Sequence, residues 1–101
     1  MEAIKVTNNE KASRLEVVLD GDTAFTEYRI TRGGIVFPHT VVPEAFEGRG
    51  IGGALVREGL KLAREKKLKV IPLCSFVAGY IARHPEFIDD VHPRYRDRVK
   101  A

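Results

Sequence analysis

Three glycines alternate within the segment Gly48-Arg49-Gly50-Ile51-Gly52-Gly53, immediately before an amphipathic stretch. Glycines at alternate positions allow the backbone to turn so that several N–H groups point outward with no Cβ atom in the way. A helix that begins there adds unpaired N–H groups and the positive end of its dipole. The segment therefore predicts a binding site for a phosphate or diphosphate that needs no charged side chain.

The elements that position this segment follow from hydrophobic periodicity. Period-two or continuous apolar patterns predict five strands, over residues 4–7, 14–19, 24–31, 35–42 and 69–74. Turn residues at 20–22 and 33–34 join the second, third and fourth strands as hairpins. A period of 3.6 predicts a helix over 50–67, and Ser75 can cap a second helix that ends near Arg83. Gly59 lies inside the first helix, where we expect a close backbone approach.

The strand–helix–strand order predicts a right-handed crossover, which makes the fourth and fifth strands parallel neighbours. Pro38 and Pro72 fall in these strands, and proline cannot donate to a ladder. They indicate either a local irregularity or a splayed pair, whose slot a ligand with its own amides could fill. The predicted fold is α/β (α+β): a mixed, mostly antiparallel five-stranded sheet with two main helices and a splayed parallel strand pair.

Composition is that of a globular domain: 101 residues, 44% hydrophobic and 31% charged. We expect one domain over residues 1–101, with a flexible tail at 92–101. With no signal peptide and no long apolar run, we expect a cytoplasmic protein that does not enter a membrane. The single cysteine, Cys74, excludes an intrachain disulfide, and no cluster has metal-ligand spacing, so no metal is expected.

The net charge of +3 raises the question of nucleic-acid binding. The basic residues concentrate on the first helix and in the tail, as expected for a solvated helix face and a frayed end. A basic rim that attracts an anionic ligand is a second use of the same charge. No aromatic residues interleave with the basic ones as base stacking requires, so nucleic acid is not expected as a partner.

Three further segments carry a family resemblance. They are Phe37-Pro38-His39-Thr40-Val41-Val42-Pro43, Pro72-Leu73-Cys74-Ser75-Phe76-Val77 and Tyr80-Ile81-Ala82-Arg83-His84-Pro85-Glu86-Phe87. With the glycine loop and the order of elements, they resemble the GNAT N-acetyltransferase superfamily, and most closely its small single-domain YjdJ-type members. The likeness extends from about residue 15 to residue 91.

This resemblance implies acetyl-CoA as cosubstrate, with its diphosphate on the amides of residues 48–53. The pantetheine arm would lie between the fourth and fifth strands beside Val41 and Val42, and the Val42 N–H would polarise the thioester carbonyl. The superfamily usually has Arg or Gln where Glu47 stands, so Arg49 would have to supply the basic contact. The implied function is an acetyl-CoA-dependent N-acetyltransferase that acts on an amine of unknown identity. Small members have an open acceptor side, which favours a protein or peptide acceptor; we expect a monomer or weak homodimer.

Catalytic candidates are Tyr80, Cys74 and His39. Tyr80 matches a tyrosine that protonates the leaving thiolate in the family, or it packs in the core under Phe76 and Phe87. Cys74, just before a helix N-terminus, either carries the acetyl group or lines the cofactor slot as a small apolar residue. His39 is a candidate base, because histidine is the side chain suited to proton transfer near neutral pH; Glu44 is a second candidate, with a scaffold role favoured.

Residues 48–53 bear on two other functions as well. Residues 48–53 also fit the dinucleotide pattern G-x-G-x-x-G, but the glycines do not directly follow a strand and the domain is short, which disfavours NAD. A CoA-binding module without catalysis would share the cofactor residues, so the sequence leaves this alternative open.

Overall fold

A computed structural model describes residues 4–99 of the chain. Within that range the strands are β1 (Thr7–Asn9), β2 (Arg14–Leu19), β3 (Asp22–Glu27), β4 (Arg29–Thr31), β5 (Gly34–Val36), β6 (Thr40–Val41) and β7 (Lys69–Ile71). The helices are α1 (Ile51–Glu65) and α2 (Ser75–Arg83). Short 3₁₀ turns cover Glu44–Phe46, Pro85–Asp90 and Pro93–Val99.

The strands form two sheets. An antiparallel four-stranded sheet has the order β1-β2-β3-β6, and a three-stranded sheet has the order β4-β5-β7, in which β5 and β7 are parallel. The predicted fold class, mixed and mostly antiparallel with two main helices and one parallel strand pair, is confirmed in the described chain. The strand number differs: seven strands, of which β2 has the predicted bounds and the others are shorter or shifted, take the place of the five predicted ones over residues 4–99.

Two predicted strands are divided where the backbone changes partners. Residues 24–31 remain beside β2 as far as Tyr28, whose N–H donates to the Ser13 carbonyl (3.0 Å), and β4 then pairs with β5. Residues 35–42 divide around Phe37 and Pro38, because proline has no N–H to offer a ladder. Tyr28 and Phe37 are both buried, so each change of partner is anchored by a ring in the core.

The parallel pair separates just beyond Phe37. The Phe37 N–H donates to the Ile71 carbonyl (3.0 Å), and the Cys74 N–H donates to the Phe37 carbonyl (2.9 Å). After that point the chain turns to β3, where the Glu27 N–H donates to the His39 carbonyl (3.0 Å). The two strands therefore splay as predicted, with β6 carried away on the neighbouring sheet.

The first strand begins later in the chain than the sequence predicts. Residues 4–7 have the apolar pattern, but β1 covers Thr7–Asn9. The register pairs Asn8 with Leu15, and Asn8 accepts a hydrogen bond from the buried Tyr28 hydroxyl (2.7 Å). The polar residue Asn8 is therefore held in the strand by its hydrogen bond to Tyr28, and hydrophobic alternation alone does not reveal such a bond.

Helix α1 packs its apolar stripe against β2, β3 and β7. Leu55 and Leu60 are fully buried in this contact, and burying side chains of this size contributes about 1.5–3 kcal/mol each. A Cβ on Gly59 would lie 2.9 Å from Cε1 of Phe37, so the predicted close approach is confirmed. No helix within residues 4–99 is long and apolar enough to cross a bilayer.

The chain after α2 folds back over the structure. Residues 92–99 pack on the core: the His92 N–H donates to the Val70 carbonyl (2.8 Å), and Val99 ends the last 3₁₀ turn as a buried residue. The buried side chain of Val99 holds this segment against the rest of the structure, which its many charged residues do not suggest. Residues 100 and 101 lie outside the described residues.

One exposed ion pair ties α1 to the turn after α2. Arg64 donates to Asp90 through both Nε (3.0 Å) and Nη2 (2.7 Å). These hydrogen bonds, together with the charge of Asp90, raise the pKa of Arg64 above its ordinary value. The Arg64 guanidinium also lies 5.2 Å from the ring centroid of Phe87, so this side chain contacts the turn Pro85–Asp90 at two residues.

Candidate functional site

The glycine segment forms a loop that opens onto the first turn of α1. Gly48 and Gly50 both have left-handed backbone, with φ of 77° and 73°. Apart from chain neighbours, no described residue has an atom within 4 Å of where a Cβ on either would stand. Gly50 is the N-cap of α1, and no described side chain caps that helix. The N–H groups of Ile51, Gly52 and Gly53 therefore have no acceptor within the helix and lie at the positive end of its dipole.

A cavity of about 440 Å³ lies between this loop, β6 and the start of α2. Its wall is formed by Thr40, Val42, Phe46, Glu47, Gly48, Gly50, Ile51, Gly52, Gly53 and Phe76. The structure thus brings most of the predicted phosphate loop together with Val42. Arg49 and Val41 are outside this wall. Phe76, 40% exposed, stands at its edge and packs against Gly52.

The N–H of Val42 points away from the neighbouring strand β3. Antiparallel partners alternate between positions that exchange hydrogen bonds and positions whose N–H and C=O groups point outward. The Glu27 N–H donates to the His39 carbonyl, and the next bonded position on this strand is Val41. The main-chain N–H groups of Thr40 and Val42 therefore point away from β3, toward the slot between the splayed strands.

Arg49 and Glu47 lie on different sides of the loop. The Arg49 guanidinium is 5.9 Å from the ring centroid of Phe46 and 3.9 Å from a carboxylate oxygen of Asp20. Glu47 instead lines the cavity, where its charge would oppose a bound anion. Arg49 is the cation of the loop that can offset this charge.

Cys74 is separated from the cavity by one hydroxyl group. It is the N-cap residue of α2 and is 7% exposed. Its sulfur lies 3.5 Å from Oγ1 of Thr40, which lines the cavity. Thr40 Oγ1 is in turn 2.8 Å from Oγ1 of Thr26, a fully buried residue. The thiol, two hydroxyls and the cavity therefore form a continuous polar path.

Tyr80 lies between the two helices, outside the cavity wall. Its hydroxyl accepts a hydrogen bond from Nη1 of Arg57 (3.3 Å). Its ring stacks on His84 at 4.1 Å between centroids, and Phe87 lies 6.4 Å away. A Cβ on Gly53 would be 3.5 Å from the Tyr80 ring, so the ring packs behind the loop. This position favours the packing role over the acid role.

His39 is on the opposite face of β6 from the cavity. Its side chain is 53% exposed, with Nε2 3.4 Å from Oε1 of Glu27 and its ring edge-on to Phe25 at 5.9 Å. Glu44 begins the 3₁₀ turn after β6 and is exposed. Among residues 4–99, no three His, Cys, Asp or Glu side chains lie close enough together to hold a metal ion.

Thr40 and Thr26 were not predicted as site residues from the sequence. Their contact joins positions fourteen residues apart and depends on the register of β3 and β6. Threonine is common in strands because of its β propensity, so its presence there does not indicate a functional site. The one available hint was that Thr40 alternates with His39 and Val41, and so had to face the other side of the strand.

This fold and loop match a known family over most of the chain. The GCN5-related N-acetyl-transferase family matches residues 14–91. The chain therefore belongs to that family, as the resemblance of its motifs predicts. Acetyl transfer is the general chemistry of the family, and acetyl-CoA is the donor that it generally uses.

Several curated proteins called Protein NATD1 are similar to the chain. The one from Xenopus tropicalis is 29% identical over 101 residues, spanning 97% of this chain and 87% of that protein. The one from Gallus gallus is 30% identical over 95 residues, spanning 89% and 86%. The one from Homo sapiens is 30% identical over 100 residues, spanning 96% and 83%. The similarity thus covers nearly the full length on both sides.

Proposed function

We propose that the chain is an acetyl-CoA-dependent N-acetyltransferase that transfers the acetyl group from the thioester to an amine. The observation that carries this proposal is the uncapped start of α1, where left-handed Gly48 and Gly50 open onto the cavity beside a splayed strand. A diphosphate accepts hydrogen bonds from such N–H groups. An extended arm with its own amides suits the slot beside β6.

The residues present fit acetyl-CoA in two respects. The donors at the loop are main-chain N–H groups, and a Cβ on Gly48 or Gly50 would meet no described residue within 4 Å apart from chain neighbours, so the loop is open to a ligand. The other end of the cavity is apolar at Val42, where a pantetheine arm would lie. Glu47 opposes this fit, and we assign Arg49 the compensating contact to phosphate.

We assign to the main-chain N–H of Val42, whose outward position faces the slot, a hydrogen bond to the thioester carbonyl. A fixed N–H donor stabilises the negative charge that develops on that oxygen and needs no reorganisation during the reaction. Val41 and Val42 together are the proposed contacts to the arm. Gly48, Arg49, Gly50, Ile51, Gly52 and Gly53 are the proposed contacts to the diphosphate.

His39 is the proposed base for the acceptor amine. It lies on the face of β6 away from the cavity, so an acceptor that approaches the splay from that side would meet it. The Glu27 carboxylate at 3.4 Å favours one orientation of the imidazole ring. The His39 side chain is 53% exposed, which suits an amine on a protein or peptide.

Titration calorimetry with acetyl-CoA, and separately with NADH, tests the binding step. We expect heat from acetyl-CoA and none from NADH; the reverse result would replace the proposal with a dinucleotide function. Incubation with radiolabelled acetyl-CoA and a library of lysine-containing peptides tests the transfer step. Binding without transfer to any amine would support the alternative, a non-catalytic CoA-binding module.

A further inference from the structure

The hydroxyl of Thr40 stands between the cavity and two buried hydrogen-bonding groups. It lines the cavity, and its Oγ1 lies 2.8 Å from Thr26 Oγ1 and 3.5 Å from Cys74 Sγ. Thr26 is 0% exposed and Cys74 is 7% exposed. One hydroxyl at the wall is therefore backed by two groups that each carry a hydrogen and are shielded from water.

The hydrogens of these three side chains can be assigned from their partners. Within the described residues the Thr26 side chain bonds to Thr40, so its hydrogen is satisfied by donation to Thr40 Oγ1. The sulfur of Cys74 is the donor in its contact with the same oxygen. A hydroxyl oxygen accepts two hydrogen bonds, so both acceptor sites of Thr40 are filled. Its own hydrogen is left for a group in the cavity.

We propose that Thr40 donates this hydrogen to the sulfur that leaves the thioester, and that Cys74 replaces it; this inference rests on the proposed function. The acceptor nitrogen bonds to the acetyl carbon, and the carbon–sulfur bond breaks with its electron pair on sulfur. Thr40 gives its hydroxyl proton to that sulfur and takes the proton of Cys74. His39 takes the proton lost by the acceptor nitrogen and releases it to solvent, and Cys74 regains a proton from solvent.

The order of acidity explains why two side chains are used. A threonine hydroxyl is too weak an acid to part with its proton alone, whereas a cysteine thiol is a much stronger one. A relay from Cys74 through Thr40 therefore ends with the negative charge on sulfur and leaves no alkoxide. In this role Cys74 supplies a proton and never carries the acetyl group. Thr26 holds the Thr40 oxygen in place.

Infrared spectroscopy of the free protein tests the hydrogen-bond array. Cys74 is the only cysteine in the chain, so one S–H stretching band reports on it alone. We expect Thr40→Val, which removes the acceptor and keeps the shape, to shift this band to higher frequency. Thr23→Val, a threonine of the same strand as Thr26, is the control and should leave the band in place. An unchanged band in Thr40→Val would overturn the array.

Kinetics test the relay itself. We expect Thr40→Val to lower kcat by about 10²-fold, the size of a general-acid contribution, with little change in KM for acetyl-CoA. Thr40→Ser restores the hydroxyl and should restore kcat. Adding Cys74→Ala to Thr40→Val should cause no further loss, because residues that act as a unit are not additive. Wild-type kcat in Thr40→Val would overturn the relay while leaving the acetyltransferase proposal intact.

Mass spectrometry separates the relay from covalent catalysis. After incubation with acetyl-CoA we expect no acetyl group on Cys74, and a transferable acetyl-Cys74 adduct would contradict the relay. If no amine is acetylated by wild-type protein, the proposed function fails with the relay. The infrared result would still stand as a test of the Thr26, Thr40 and Cys74 contacts.

Discussion

The ring of Phe76, at the start of α2, packs directly on the backbone of Gly52, at the start of α1. A Cβ on Gly52 would lie 2.9 Å from Cε1 and 3.3 Å from Cε2 of that ring. Both residues line the cavity, so this contact sets the separation between the two helix starts that frame it. Glycine at this position is required by a close approach, since Gly52 lies within α1 and its role is not that of a turn.

Gly52→Ala should therefore act on the cavity more than on the fold. Phe76 is half-exposed, so its ring can swing aside, and we expect a loss of about 1 kcal/mol in unfolding free energy, at the low end for overpacking. The displaced ring changes the cavity wall, and affinity for acetyl-CoA should fall about tenfold, or about 1.4 kcal/mol. Urea denaturation and calorimetry measure the two effects.

The same substitution in a Phe76→Ala background should cost no stability, because the clash has been removed. Gly53→Ala is a second comparison, since its Cβ would meet nothing closer than 3.4 Å. If Gly52→Ala lowers stability as much in the Phe76→Ala background as in the wild type, the contact between Gly52 and Phe76 is not the cause of the loss.

Gly50→Ala tests the phosphate loop, and Gly33→Ala is a matched control. The two glycines have nearly equal φ, 73° and 75°, and neither would bring a Cβ within 4 Å of another described residue beyond its neighbours. Each substitution should cost about 1–2 kcal/mol of stability through backbone strain. Only Gly50→Ala should weaken acetyl-CoA binding in calorimetry, because Gly33 lies in the β4–β5 turn. Equal loss of binding in both variants would remove the loop from the site.

These residues show what the sequence could and could not reveal. The glycine loop was predictable because alternating glycines before a helix act through local backbone geometry. The splay was predictable because Pro38 and Pro72 lack the N–H that a ladder needs. The contact between Thr40 and Cys74 was not, since it joins strand and helix thirty-four positions apart.

Tyr80 shows a second reason why the site could not be fully predicted: the sequence does not give the rotation of a helix about its axis. Its position along α2 follows from the sequence, but the direction of its ring depends on how α2 packs against α1. The hydroxyl meets Arg57 on α1, whose partner could not be assigned from periodicity. The shift of β1 likewise depends on a tertiary partner, because the Tyr28 hydroxyl donates a hydrogen bond to Asn8.

Gly59→Ala and Gly79→Ala should change stability in opposite directions. Both glycines lie inside helices, where alanine is favoured by about 1 kcal/mol. At Gly59 the new Cβ would meet the buried Phe37 ring at 2.9 Å, and overpacking of about 1–3 kcal/mol outweighs that gain. At Gly79 it would meet only the flexible end of Arg83 at 3.4 Å, so the gain remains. Thermal or urea unfolding gives both signs, and stabilisation by Gly59→Ala would contradict the close approach.

Tyr80→Phe should lower stability and leave kcat unchanged. It removes the hydrogen bond from Arg57, which is worth about 0.5–1.5 kcal/mol, but it alters nothing in the cavity wall. Arg57→Met breaks the same bond, so the double variant should lose less than the sum of the two single changes. A large fall in kcat for Tyr80→Phe, with normal binding of acetyl-CoA, would return Tyr80 to the role of acid and contradict the relay through Thr40.

His39→Gln should lower kcat/KM for the acceptor about 10²-fold, because the amine then has no base to take its proton. Binding of acetyl-CoA should not change, since His39 lies on the face of β6 away from the cavity. His92→Gln is the control: that imidazole accepts the Arg94 N–H (3.2 Å) outside the cavity wall. Because Glu27 orients the ring, Glu27→Gln should give an intermediate rate; full activity in both variants would assign proton removal to another group.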